Sequence, residues 1–141
     1  MNTSKVAILK AGLALWVLWH LAFGLLSTFS PQFGAELVGW TAPDGWNAEL
    51  HAMSKQYGMV MLLLAGVYLI MLFDPLRYLS FLWIAVGEQV LGIAYGAYIF
   101  AVLGQLTEGQ LLLQVGVNVA LIAGMFLLWR GLRPSAPAQP A

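Results

Sequence analysis

His20, His51, Lys55, Gln56, Glu88, Gln89, Gln114 and Asn118 each interrupt a long run of apolar residues. These residue types can do chemistry. A carboxylate can carry a proton, an ammonium can hold its charge, and an imidazole can ligate a metal or shuttle a proton. Ionisable groups inside apolar helices are costly to bury, so each needs a partner or a purpose. Lys55 and Glu88 form the sharpest pair, since they fall on consecutive antiparallel segments. Three readings of the pair stay open. It is a buried ion pair that holds helix register, a site in which Glu88 titrates or binds a ligand, or two unrelated groups with Glu88 protonated and facing lipid.

The two histidines raise the question of a cofactor. Two imidazoles at similar depth on adjacent helices can ligate haem axially, or hold a metal with Glu49 or Glu88 as a third ligand. Yet no His-x-x-His or Glu-x-x-His spacing is present, so the sequence specifies no metal site. Trp16, Trp19 and Phe23 surround His20 in the chain and suit either a flat apolar ligand such as a quinone or ordinary packing. With no Cys, thiolate catalysis, disulfides, Fe–S clusters and Cys-ligated zinc are excluded. No phosphate-binding loop is present, and a net charge of zero argues against a nucleic-acid partner.

The elements that must position these groups are membrane helices. Hydrophobic residues make up 61% of the 141 residues and charged ones only 9%, against about 25% charged in a soluble domain. Apolar segments at 6–29, 48–73, 79–103 and 110–129 each have the ~20 residues needed to cross a bilayer. The expected fold is an all-α integral membrane four-helix bundle forming a single domain over 1–133, with a disordered Pro/Ala tail at 134–141. The first segment reads as a retained signal anchor, because Pro31 follows its best cleavage candidate. Lys5, Lys10, Arg77, Arg130 and Arg133 all fall on one side of alternating segments, and Glu36, Asp44 and Glu108 on the other. The positive-inside rule then puts both termini in the cytoplasm, in a bacterial-type inner membrane.

At about 1.5 Å of rise per residue, Glu88 lies ~13 Å from the cytoplasmic end of its helix and Asn118 ~12 Å below the outer end of its own. His20 and His51 come within roughly 15 Å of the outer surface. The polar set His20, His51, Lys55, Glu88 and Asn118 therefore converges on the middle and outer half. Small residues at four-residue spacing mark close helix packing: Gly92 and Gly96 in the third segment, Gly116, Ala120 and Gly124 in the fourth. Gly12, Trp16, His20 and Gly24 line up similarly in the first. The loop at 30–47, with Trp40 and Trp46, is expected to lie along the outer interface, either as an aromatic anchor or as a short amphipathic turn.

The long first outer loop, the polar start Asn47-Ala48-Glu49-Leu50-His51, the Asp74-Pro75 turn and the Glu88-Gln89 pair carry a resemblance. In these features the chain resembles the small four-helix membrane proteins of the DoxX-like group, including the BphX-like type found with aromatic-degradation genes. The resemblance spans 6–129 and implies an accessory or quinone-proximal role. It transfers no catalytic residue. The expected function is a non-catalytic accessory subunit or small binding protein with an outward-facing polar pocket. It would sit in the lipid bilayer with a membrane-protein partner or as a homo-oligomer. The alternatives are a quinone- or haem-linked oxidoreductase subunit and a small oligomeric transporter.

Overall fold

The computed structural model describes residues 3–42 and 44–133. Pro43 of the expected loop turn and the 134–141 tail lie outside the described residues. Those that are described form helices and turns without a strand. The helix α1 spans Thr3–Phe29, α2 Pro31–Leu37, α3 Ala48–Phe73, α4 Leu82–Tyr98 and α5 Glu108–Leu132. A 3-10 turn, Leu79–Phe81, leads into α4, and a π-turn, Ile99–Leu103, follows it. Four helical stretches are long and apolar enough to cross a membrane: α1, α3, α5 and the continuous Leu79–Leu103. At 25 to 27 residues each, they reach ~37–40 Å, longer than the ~30 Å hydrocarbon core.

Local chemistry sets the breaks. Pro31 disfavours helical geometry at the residue before it, and Ser30 leaves the helix at φ −143°. The same proline then opens α2, where its missing N–H costs nothing. Asn47 caps α3 by accepting a hydrogen bond from the Leu50 amide at 2.8 Å. Asp74 ends α3 just ahead of Pro75. Gly104 closes the π-turn at φ +63°, a conformation that suits glycine. Thr107 and Gln110 then start α5 with a reciprocal capping box.

The chain divides into two compact units. The N-terminal unit, Ala7–Pro75, pairs α1 with α3 in antiparallel fashion, as Trp16 meets Tyr68, Gly24 meets Gly58 and Ser27 meets Ser54. Gly24 and Gly58 let the two backbones touch. A Cβ on Gly58 would fall 2.8 Å from the Gly24 carbonyl oxygen. The C-terminal unit joins residues 76–133 with residues 3–6. It pairs α4 with α5 antiparallel, through Gly92 against Asn118, Gly96 against Gln114 and Trp83 against Trp129.

Candidate functional site

His20 is the most deeply buried titratable side chain of α1, at 3% exposure. Its Nδ1 lies 2.8 Å from the Trp16 carbonyl oxygen. A carbonyl only accepts, so Nδ1 carries a proton and donates it. The His20 ring centre is 5.1 Å from that of Tyr68 on α3 and 5.8 Å from that of Trp16. Trp16 and Tyr68 meet edge-on at 6.4 Å. Tyr68 is wholly enclosed, and its hydroxyl is shielded from solvent. The three rings fill one another's faces as a packed polar-aromatic core of the helix pair. Tyr68 was missing from the set expected from sequence. The spacing Gly58, Met61, Ala65, Tyr68 marks it, since all four are buried on one stripe of α3.

His51 has a different setting. It is half-buried at the start of α3, 5.1 Å from the Trp46 ring, and Trp46 meets Trp40 edge-on at 5.8 Å. Here α2 folds back beside α3. Its buried Gly34 rests against Leu26, whose Cβ would lie 3.0 Å from any Cβ added at residue 34. A shallow pocket of about 360 Å³ opens between residues 29–33, Glu36 and His51. Within α2, Gln32 donates to Glu36 at 3.1 Å. Lys55, one turn along α3 from His51, is exposed. Pro31–Leu37 of the 30–47 segment thus forms a short helix and one wall of a pocket. Its residues were missed as site residues because only the fold-back of α2 brings them to His51.

The helix register separates the two histidines. The α1–α3 contacts place His20 level with residues near Ala65, about 13 residues from His51. At ~1.5 Å per residue the gap is roughly 20 Å, too far for both to ligate one haem iron or one metal ion. Among the described residues, no three His, Asp or Glu side chains come together as a metal site.

In the C-terminal unit, Glu88 is half-buried on α4 with its Oε1 shielded from solvent, and Gln89 beside it is buried at 7% exposure. Asn118 is a packing residue, its Nδ2 3.2 Å from where a Gly92 Cβ would stand. Gln114 crosses over Gly96 and donates to the Gly92 carbonyl at 3.0 Å. Gly92 and Gly96 thus make room for two amides of α5. The Gly116, Ala120 and Gly124 stripe lies about 200° around α5 from those amides at 100° per residue. It is exposed, and a Cβ added at Gly116 or Gly124 would meet open space.

The expected polar set thus occupies several settings. His51 lines a pocket, His20 sits in a closed aromatic core, Asn118 packs on a glycine, Lys55 is exposed and Glu88 is half-buried on α4. No family model, curated protein or solved structure matches this chain.

Proposed function

We propose that this chain is a multi-pass protein of a bacterial-type inner membrane, with both termini cytoplasmic, acting as a non-catalytic accessory or binding subunit. The pocket between α2 and His51 carries this reading. Its walls combine the apolar rings of Phe29 and Phe33 with the Glu36 carboxylate, the Gln32 amide and the His51 imidazole. Such a lining suits an amphipathic ligand whose polar end donates hydrogen bonds. The distribution of Lys and Arg supports an outward-facing mouth. The resemblance to the DoxX-like and BphX-like proteins belongs to the same proposal and favours a membrane-protein partner.

The test is native mass spectrometry of the chain extracted in mild detergent, alongside the double variant Glu36→Gln/His51→Ala. The wild type is expected to retain a small-molecule mass, and the variant to lose it with its helical circular dichroism unchanged. A bare wild-type chain, or the same adduct on both proteins, contradicts the pocket reading. A co-purifying membrane subunit on the wild type supports the accessory role.

A further inference from the structure

The His51 pocket has a sign of charge. Phe29 ends α1, Phe33 and Glu36 stand on α2, and His51 lies in the first turns of α3; all four line the one pocket. Among the described residues of that lining, Glu36 is the one Asp or Glu, and none is Lys or Arg. Glu36 is exposed, and its Oε1 accepts from the Gln32 amide at 3.1 Å. That donor is neutral and leaves the charge of the carboxylate in place. Phe29 and Phe33 are wide open at 76% and 54% exposure, so a molecule in the pocket can lie against their rings. The His51 ring is held beside Trp46 at 5.1 Å.

The surroundings of the lining point the same way. Asp44 and Glu49 add negative charge to this end of the helix pair, outside the lining. Lys55 is the nearest Lys or Arg along the chain from His51, and it too stands outside the lining. The amino end of a helix favours an anion, but that of α3 is already served: Asn47 accepts from the Leu50 amide, and Glu49 puts a carboxylate in the first turn. The carboxyl end of α2 is the pole that favours a cation, and Glu36 is the last residue but one of that helix.

We propose that the pocket takes a primary ammonium carried on an apolar body, with Glu36 as its counter-charge, His51 as a second acceptor and the Phe29 and Phe33 rings against the body. An ammonium brings three donors and no acceptor. Its hydrogen bond to a carboxylate is roughly twice as strong as a bond between neutral groups. Aromatic ring faces attract a cation as well. An anionic ligand would instead meet Glu36 with like charge. This assignment rests on the pocket reading above and narrows its ligand from any hydrogen-bond donor to a cation. The same head group occurs on soluble amines and on phosphatidylethanolamine.

The experiment is equilibrium dialysis of the full chain in mild detergent against radiolabelled hexylamine, hexanol and hexanoate, with empty micelles subtracted. A pH of about 8 keeps an ordinary imidazole neutral and an amine charged. Hexylamine is expected to bind on the order of five- to tenfold more tightly than hexanol, and hexanoate more weakly than either. Glu36→Gln should bring hexylamine down to the hexanol level and leave hexanol unchanged, since a side-chain carbonyl there still accepts from Gln32. Glu36→Asp should keep the order of the three. Asp44→Asn removes the same unit of charge outside the lining and should leave the preference intact. Equal binding of amine and alcohol, tighter binding of hexanoate, or a preference that survives Glu36→Gln overturns the ammonium. A preference lost equally in Asp44→Asn assigns it to diffuse charge and overturns the site. Binding of none of the three also overturns it; a small-molecule adduct on the wild type in native mass spectrometry then still upholds the pocket, and a bare chain removes both. Phosphatidylethanolamine added to the micelles should displace hexylamine if the head group comes from lipid and should not if it comes from a soluble amine, with phosphatidylcholine, which has no N–H, as the blank. Either result keeps the ammonium and names its source.

Discussion

Gly58 holds the closest approach in the N-terminal unit. A methyl group there would meet the Gly24 carbonyl oxygen and the Thr28 amide nitrogen, both at 2.8 Å, as well as the Thr28 hydroxyl. The first two are backbone atoms and cannot swing aside. Thr28 is itself tied down, donating to the Gly24 carbonyl at 2.7 Å. Gly58→Ala must therefore push α1 and α3 apart, at a cost on the order of 1–3 kcal/mol. Gly66, two turns along the same helix, has nothing within 4 Å of its would-be Cβ. Gly66→Ala should be neutral, or stabilise by about 0.5–1 kcal/mol through the entropy of the unfolded chain. Thermal unfolding in detergent should show a lower Tm for Gly58→Ala and an equal or higher one for Gly66→Ala. Equal Tm values for the two variants would mean that the helix crossing is looser than its geometry indicates. The Gln114 bond to the Gly92 carbonyl is the counterpart in the other unit. There a side-chain amide, rather than bare backbone contact, fixes the approach.

Helix ends show how far a sequence can be read. Apolar length alone marks the four long helices, because few alternatives bury so much backbone and so little charge. The caps refine their starts. Thr107 accepts from the Gln110 amide at 3.3 Å, while Gln110 accepts from the Thr107 amide at 2.8 Å. That box begins α5 at Glu108, two residues ahead of the apolar run, and the Thr-x-x-Gln spacing announces it. Thr107→Ala should destabilise α5 by about 1 kcal/mol, and Asn47→Ala should do the same to α3. Hydrogen exchange is the measurement, with faster exchange confined to the first turn of the affected helix. Uniform acceleration across the chain would instead point to global loosening. Other features have no local signal. Nothing near Ile99–Leu103 marks a π-turn, and the Gly116–Ala120–Gly124 spacing names a small face without saying which face meets α4. The polar residues His20, His51 and Asn118 stand out as interruptions of apolar runs. Their surroundings depend on α2 folding back over His51 and on the register that sets His20 beside Tyr68, and both of these are tertiary facts.

Across the whole molecule, exposed apolar surface dominates. None of the residues of α5 is buried, and Leu15, Leu63, Leu91 and Leu113 are each about 70% exposed or close to it. A soluble monomer rarely leaves an apolar patch beyond a few hundred Å² open to water. Long helices that satisfy their own backbone and present leucine outward match the demand of lipid, where every N–H and C=O must be paired internally. The proposed orientation rests on charge, and it decides which compartment the His51 pocket would face. Because the chain has no Cys, single cysteines report on it cleanly. Asp44→Cys and Gln105→Cys lie in the loops that carry no Lys or Arg, and Ser80→Cys lies in the turn beside Arg77; all three positions are exposed. In intact spheroplasts a membrane-impermeant maleimide should label the first two, while Ser80→Cys should react only after the membrane is opened. That pattern would put the pocket outside and the turn that carries Arg77 in the cytoplasm. The reverse pattern would turn the chain over and place His51 in the cytoplasm, so one labelling experiment decides the compartment of the proposed pocket.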